Sequence, residues 1–477
     1  METVSPGLKC AQEAPPVTAL PAQRLSRVCA VLGPSIFLQV ISSSLLFAER
    51  PKLARAALGS TAKAARALAW MESGGALLET VCNPVSGKAS DVVGRRPFLP
   101  FAPLAACVMR MFVAIFANMH SLRLDKYVTT ACDSMYFTVW RAAVADLAAG
   151  DTAEFTRCMG LLGTFAGIAQ IIGPITGDAL RRVAGSVRGT RVCFAAAAAL
   201  SLANCLWLAS RFEETLCHKE RSGSPARLWT LLLRDATPLS FARCVAQSSQ
   251  LARLFVAVGL QTVTEGRNIG AVNYLLMKDD YGWDDSMVAK LFSGLGLCLI
   301  AGGLLVKRSI ATFGLRGHTT VSNTFNAVAC LFWGGAGEIA KVTGVSTPWT
   351  MALALLFATP GMRKRDGLEG LIMRLGSYHG LGRGFISGAL MNWRAAFNIV
   401  APLALGHAYA WGVSREHRAP YVPFLACAGA LIVSEACVQT LTDSELHLGN
   451  GGDSPVTSAV SSASVRAGAV GAKKMLV

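Results

Sequence analysis

The chain contains repeated stretches of about 20 apolar residues, each long enough to cross the roughly 30 Å hydrocarbon core of a bilayer as a helix. We count twelve of them in 477 residues. The first six lie near 28–48, 67–86, 97–119, 127–147, 158–180 and 192–210, and the second six near 254–277, 287–306, 319–336, 349–373, 384–410 and 422–441. Within lipid, a helix satisfies all of its backbone hydrogen bonds internally. The pattern therefore predicts an all-α membrane protein with twelve transmembrane helices.

The composition agrees with lipid as the main solvent. The chain is 52% hydrophobic and 16% charged, whereas soluble proteins carry about 25% charged residues. Its net charge of +16 fits loops beside anionic leaflets, and no aromatic-basic module indicates nucleic-acid binding. The 14 cysteines are scattered without a C-x-x-C pair, so we expect no disulfide framework, no metal site and no cofactor.

The spacing of the spans divides the chain into two bundles of six helices, 28–210 and 251–442. A basic linker, 211–250, separates them. We expect a disordered tail at 1–27, which is polar and proline-containing, and a flexible tail at 443–477, which is rich in Ser, Gly and Ala.

Loop charges favour a cytoplasmic N-terminus. This orientation places the linker, Arg95-Arg96 and Lys307-Arg308 inside. The positive-inside rule is broken after the fifth span, where four arginines then face outward: Arg181, Arg182, Arg188 and Arg191. We expect a multi-pass protein in the plasma membrane or an organelle membrane.

The two halves carry traces of an internal duplication. Gly160 precedes Gly173-Pro174 in the fifth span by the same spacing that separates Gly388 from Ala401-Pro402 in the eleventh. The turn Val93-Gly94-Arg95-Arg96 has a weaker echo in Phe313-Gly314-Leu315-Arg316. Related halves around a central site are the usual construction of secondary carriers.

The turn at 87–96 reads G-x-x-x-D-x-x-G-R-R and lies between the second and third spans. Glycines allow helices to meet closely, and paired arginines suit an anionic leaflet. The pattern resembles the loop between helices 2 and 3 of the major facilitator superfamily, with Val92 in place of that motif's basic residue. The resemblance implies two six-helix bundles that rock around a central site, with Asp91 bound across their interface. It implies gating roles for Gly87, Asp91, Gly94, Arg95 and Arg96.

The fifth span carries a stripe of small and polar residues within about 80° of one helical face: Gly163, Gly167, Gln170, Pro174 and Gly177. The stripe, with Gly173 beside it, is similar to the helix-5 motif of the superfamily's proton-coupled antiporters, including tetracycline-efflux carriers. Ala169 and Asp178 depart from that motif. Close helix packing is the alternative explanation, and both can hold.

The second span places Glu72, Glu79 and Asn83 within about 40° of one face. A carboxylate inside the bilayer costs about 2.5–3.5 kcal/mol on insertion scales, so these side chains indicate a wet cavity and proton or cation binding. The alternative for Glu72 is simple solvation near the outer interface.

The fourth span contains Asp133 and Arg141, which either neutralise each other, pair with neighbouring helices or contact solute. Asp146, near the end of that span, resembles a structural position of the superfamily's connection between helices 4 and 5. In the seventh span, Glu265 and Arg267 are two residues apart and diverge, so each needs another partner.

Further polar residues of the second half are candidates for the solute pathway: Gln261, Asn268 and Asn273 in the seventh span, and Arg394 and Asn398 in the eleventh. The tenth span is interrupted by Arg363-Lys364-Arg365-Asp366. This cluster lies either in the cavity, where it would attract an anion, or at the inner membrane surface. We favour the surface for Lys364 and Arg365, and the pathway for Arg363 and Asp366.

Enzyme motifs are absent from the sequence: there is no P-loop, H-E-x-x-H or nucleophile elbow. We therefore expect a monomeric secondary transporter in a lipid bilayer that moves a small organic solute by proton-coupled antiport. One alternative is an organic-anion importer or exchanger that uses Arg267, Arg363 and Arg394. Another is a receptor or scaffold without flux, which the loss of the motif's basic residue at Val92 leaves open.

Overall fold

The computed structural model describes residues 21–148, 152–185, 188–215, 240–379, 381, 383–414 and 418–442. Within these ranges a few side chains lie outside the description: those of 21–24, 84, 87, 88, 91, 148, 152–157, 240, 377 and 383–385. Every regular element in the described part is helical.

The first half consists of seven helices: α1 (Pro21–Ser44), α2 (Glu49–Leu58), α3 (Thr61–Val93), α4 (Phe98–Phe116), α5 (Met119–Ala148), α6 (Thr152–Ala184) and α7 (Gly189–Arg211). The second half contains α8 (Ser240–Gln247), α9 (Ser249–Val263), α10 (Gly266–Leu275), α11 (Asp285–Thr343), α12 (Thr347–Gly361), α13 (Asp366–Tyr378), α14 (Arg383–Gly412) and α15 (Val422–Gln439). A π-helical turn, Leu276–Asp280, follows α10.

Six helices among the described residues are long and apolar enough to cross a membrane by composition alone: Leu25–Leu58, Phe98–Phe116, Cys158–Ala184, Gly189–Arg211, Asp285–Thr343 and Val422–Gln439. The long helix α11 covers two predicted spans and changes direction at Gly314. The other predicted spans fall on α3, α5, α9–α10, α12–α13 and α14, where polar residues or breaks lower the hydropathy.

Two of the predicted boundaries move. Helix α1 begins at Pro21, before residue 28. Helix α8 lies inside the predicted linker, because Phe241, Cys244 and Val245 pack on the apolar core of the second half.

The two halves meet along two seams, α3 against α14 and α6 against α11. Their buried apolar residues form one cluster that contains residues of both halves, including Leu46, Phe292 and Trp333. Two further clusters each belong to one half, one around Leu32 and Tyr136 and the other around the second-half residues 251–258 and 368–375. The shared cluster lies at one end of the molecule and the separate clusters lie at the other.

Two predicted spans, the seventh and the tenth, are broken near their middles, and the first is broken at its end. The chain leaves helical geometry between α1 and α2, at Glu265 before α10, and between α12 and α13. Non-helical backbone at membrane depth is tolerated where it is buried in protein or lines a cavity. The breaks therefore mark the region where a polar site can form.

Gly94 follows the end of α3, and Gly314 lies where the first of the two helices within α11 ends. Their φ angles are positive, 112° and 69°. Both turns lie at the end of the molecule that has separate cores, which we call the motif end. The echo between the two turns thus corresponds to equivalent backbone geometry, because such angles are accessible mainly to glycine.

Candidate substrate cavity and its ion pairs

A cavity of about 670 Å³ lies between the two halves. Its volume is in the range of small-molecule sites. Its charged lining residues comprise three acidic and five basic side chains: Glu72, Asp133 and Glu265, with Arg50, Lys126, Arg267, Lys364 and Arg365. Apolar and aromatic residues, among them Phe47, Phe292, Trp333 and Phe424, complete the wall.

On the first-half wall, helix α3 directs its polar face toward α5 and α10. Lys126 lies 2.6 Å from Glu72, and Ser134 and Thr138 donate to the Asn83 Oδ1. The predicted common face of Glu72, Glu79 and Asn83 thus points into protein, where each polar group finds a partner.

Asp133 is fixed by an amide relay that joins α1, α5 and α7. The Gln39 amide donates to Asp133 at 2.6 Å, and the Asn204 amide donates to the Gln39 Oε1 at 2.9 Å. Asp133 and Arg141 do not pair with each other in the structure; Arg141 lies two helical turns away, with its guanidinium 5.8 Å from the Trp140 ring centroid.

Arg110 lies behind this wall and is fully buried. Its guanidinium donates to the hydroxyls of Ser42 and Ser201 at 2.5 Å and to that of Ser43 at 2.7 Å. Three hydroxyl acceptors therefore hold this charge inside the first half and tie α4 to α1 and α7.

The two halves are joined across the cavity by Arg267. Its guanidinium forms an ion pair with Glu79 and lies 3.8 Å from Glu72. Arg267 lies in the first turn of α10, directly after the break in the seventh span, whereas Glu79 belongs to α3 in the first half of the molecule. Glu79 is not among the residues that line the cavity; it lies in the seam beside it.

A second cluster lies on the second-half wall at the break before α10. Glu265 pairs with Arg365 and lies 3.6 Å from Arg394. Arg394 is also 3.7 Å from Glu369. The prediction that Glu265 and Arg267 find separate partners is thus met, with the partners on different helices.

Lys364 and Arg365 line the cavity, so our assignment of these two residues to the membrane surface was wrong. The chain unwinds between α12 and α13, which directs both side chains inward. Lys364 is 7% exposed, and its Nζ donates to the Asn326 Oδ1 at 3.2 Å and to the Gly361 carbonyl at 3.5 Å. A charge run in the sequence does not reveal such a break.

Several predicted pathway residues do not line the cavity. Asn268 donates to Asn398 at 3.1 Å, Gln261 donates to Asn323 at 3.0 Å, and Arg363 lies 3.6 Å from Asp366. Arg141 and Arg394 also do not line the cavity. Gln170, Pro174 and Asn273 do line the cavity.

Sequence reasoning missed four lining residues with charged or amide side chains: Gln39, Arg50, Lys126 and Asn326. Polar side chains within apolar segments are the signal that could have found Gln39 and Asn326. Lys126 and Arg50 lie at span edges, where charged residues are common, so their positions alone carry little information.

At the end opposite the motif end, charged residues connect the two halves, and we call this the closed end. The Asp285 carboxylate forms ion pairs with two residues of the first half: the Arg181 guanidinium at 2.9 Å and the Lys52 ammonium at 3.3 Å. Arg55 pairs with Asp279 at 2.6 Å. These contacts also give Arg181 a role that the positive-inside rule does not foresee.

The turn at the motif end is anchored within the first half. Arg95 is buried and lies 3.2 Å from Asp146, and Glu214 accepts the backbone N–H groups of Arg95 and Arg96. A structural role for Asp146 is thus supported by contact. The predicted contact of Asp91 across the bundles lies outside the described side chains, and so does the environment of Gly87.

The helix-5 glycines pack against two different neighbours. A methyl group on Gly167 would meet Ile300 of α11, whereas one on Gly173 or Gly177 would meet Ser44 or Leu45 at the break after α1. Gly163 has Arg363 near it at 3.9 Å. Close packing therefore accounts for most of the glycine stripe, while Gln170 and Pro174 reach the cavity.

Comparison with known proteins identifies the family. The sequence profile of the Major Facilitator Superfamily matches residues 32–363. A tetracycline resistance protein, class H, from Pasteurella multocida is 20% identical over 340 residues, which cover 71% of this chain and 78% of the relative.

Solved structures share the fold. A peptide transporter POT has a TM-score of 0.68 at 14% identity and covers 91% of this chain and 100% of its own. The human organic anion transporter MFSD10 has a TM-score of 0.59 at 16% identity, with 87% and 99% covered. With its membrane helices in two bundles around a central cavity, this chain belongs to the major facilitator superfamily and is a multi-pass membrane transporter, not an enzyme.

Proposed function

We propose that this protein is a proton-coupled antiporter that moves a small organic solute by alternating access. The observation that carries the proposal is the ion pair between Arg267 and Glu79, which joins the two halves beside the cavity. Protonation of Glu79 would remove one charge of this pair and weaken the connection between the halves. A proton and a conformational change would then be linked through a single carboxylate.

The distribution of contacts supports an inward-facing state for this structure. Ion pairs and the shared apolar cluster join the halves at the closed end, while each half has its own core at the motif end. With a cytoplasmic N-terminus, the motif end faces the cytoplasm. The opposite state would require the ion pairs of Asp285 and Asp279 to break and the motif ends to approach, with Asp91 as the proposed contact.

Glu72 differs from Glu79 in its main partner, and this provides a matched control. Glu72 pairs most closely with Lys126 of its own half, whereas Glu79 pairs with Arg267 of the other half. Loss of charge at position 79 should therefore affect coupling between the halves more than loss of charge at position 72.

The test uses purified protein in liposomes with a pH-sensitive dye inside. Tetracycline is the first solute to try, because a tetracycline resistance protein is among the relatives; a drug-like solute library follows. In Glu79→Gln we expect solute-driven proton movement to be lost while solute exchange without a gradient continues. In Glu72→Gln we expect proton movement to be retained at a reduced rate.

Two results would reject antiport. Proton movement that survives in Glu79→Gln would show that this carboxylate is not the coupling group. Solute binding without flux in the wild-type protein would favour the receptor or scaffold alternative instead.

A further inference from the structure

Lys364 differs from every other basic residue of the cavity wall. The other four each have a carboxylate within 4 Å: Arg50 pairs with Asp125, Lys126 with Glu72, Arg267 with Glu79, and Arg365 with Glu265. Within the ranges that the structure describes, no carboxylate lies within 4 Å of the Lys364 ammonium. A buried ammonium without a counter-ion is unfavourable, so a site that keeps one is adapted to receive a negative charge.

The donors at this position match a carboxylate. The Lys364 ammonium uses two of its hydrogens on the Asn326 Oδ1 and the Gly361 carbonyl, which leaves a third. The Asn326 amide nitrogen donates to no group in the described part of the chain, and Asn326 lines the same cavity. One ammonium and one amide can together serve the two oxygens of a carboxylate, whereas a phosphate dianion calls for more donors.

The surrounding wall is apolar. Trp333, Phe424, Ala358, Cys330 and Cys427 line the cavity with Lys364. Such a wall suits an aromatic or aliphatic body attached to a single anionic group. The arginines that the sequence offered for an anion, Arg267, Arg363 and Arg394, all have carboxylates within 4 Å.

We propose that Lys364 and Asn326 bind the carboxylate of the transported solute, which is therefore an organic monoanion with an apolar body against Trp333 and Phe424. This inference rests on the proposed transport function and specifies its substrate class. It also gives a reason for Gly361, since a Cβ there would lie 2.9 Å from the Asn326 amide nitrogen.

The first test measures the charge at the site without any solute. Cys330 lines the same cavity, so its rate of modification by an anionic and by a cationic methanethiosulfonate reagent reports the local potential. We expect the anionic-to-cationic rate ratio at Cys330, read by mass spectrometry, to fall about tenfold in Lys364→Gln, equivalent to about 1.4 kcal/mol. Lys364→Arg should keep the wild-type ratio.

Lys341→Gln is the matched control, because Lys341 is exposed and pairs with Glu338 on its own helix; its ratio should equal that of the wild type. An unchanged ratio in Lys364→Gln would overturn the proposal. Should Lys364→Gln fail to fold, Lys364→Met, which keeps an unbranched apolar side chain without the charge, must lower the ratio instead.

The second test uses 1-naphthoate and its uncharged amide, 1-naphthamide, as probes of purified protein in detergent. We expect naphthoate to bind the wild type at least about tenfold more tightly than naphthamide, with this preference lost in Lys364→Gln and kept in Lys341→Gln. Equal binding of the two probes by the wild type would overturn the proposal. A wild-type protein that prefers naphthoate but moves no protons would reject antiport alone. A wild-type protein that moves protons but shows no preference for naphthoate would reject the carboxylate site alone.

Discussion

Gly177 illustrates how a single residue controls the packing of α6. A Cβ at this position would lie 2.6 Å from the backbone carbonyl oxygen of Leu45, at the break after α1. Because the obstacle is backbone, the neighbouring chain would have to move. Gly160, on the same helix, has open space around its Cβ position among the described atoms. Both glycines belong to one predicted span, and their surroundings in the structure separate them.

We expect Gly177→Ala to destabilise the protein by about 1–3 kcal/mol, the usual cost of overpacking a filled site. Gly160→Ala should be neutral or slightly stabilising, since alanine is the better helix former. Thermal unfolding of both variants in detergent provides the comparison. Equal unfolding temperatures for the two would mean that the break after α1 can shift freely.

At the scale of the element, the turns at Gly94 and Gly314 set where one helix of each half ends and the chain changes direction. Gly314 has φ 69° and ψ 178°, so the long helix α11 consists of two helices that meet at this residue. Gly94 has φ 112° and ψ 162° at the end of α3. Backbone of this kind is close to exclusive to glycine. The sequence echo between the halves therefore preserves a conformation as well as a pattern.

Gly314→Ala should cost about 1–3 kcal/mol of stability, because alanine would be held in a sparsely populated backbone region. Gly335→Ala on the same helix is the control: Gly335 lacks a positive φ, and its nearest neighbour, Ile339, is 3.8 Å from the Cβ position. Thermal unfolding in detergent is again the measurement. A Gly314→Ala variant as stable as Gly335→Ala would contradict the expectation.

At the scale of the whole molecule, the closed end depends on Asp285. This carboxylate forms ion pairs with Lys52 and Arg181 of the first half and with Lys278 of the second. Removing it leaves three basic side chains without this partner and close together. Since the ion pairs cross between the halves, their loss should favour the state in which this end is open.

We therefore expect Asp285→Asn to shift the population toward opening at the closed end. Spin labels at positions 63 and 345, both exposed and in different halves, should report a longer mean distance by electron paramagnetic resonance. Glu338→Gln removes an exposed pair within one helix and should leave the distance distribution unchanged. The idea fails if Asp285→Asn gives the wild-type distribution.

The sequence by itself determined that the chain spans a membrane, how its spans are spaced, that its halves are related, and where glycine turns end paired helices. These features are local: a span needs about 20 apolar residues, and a positive φ needs glycine. Tertiary structure decided which charges meet. Arg267 pairs with Glu79, which is 188 positions away in the sequence. Lys364 points into the cavity where α12 ends, and Asp285 connects the two halves through its ion pairs. Helical periodicity gives the direction of a side chain on its own helix, but its partner depends on how separate helices pack.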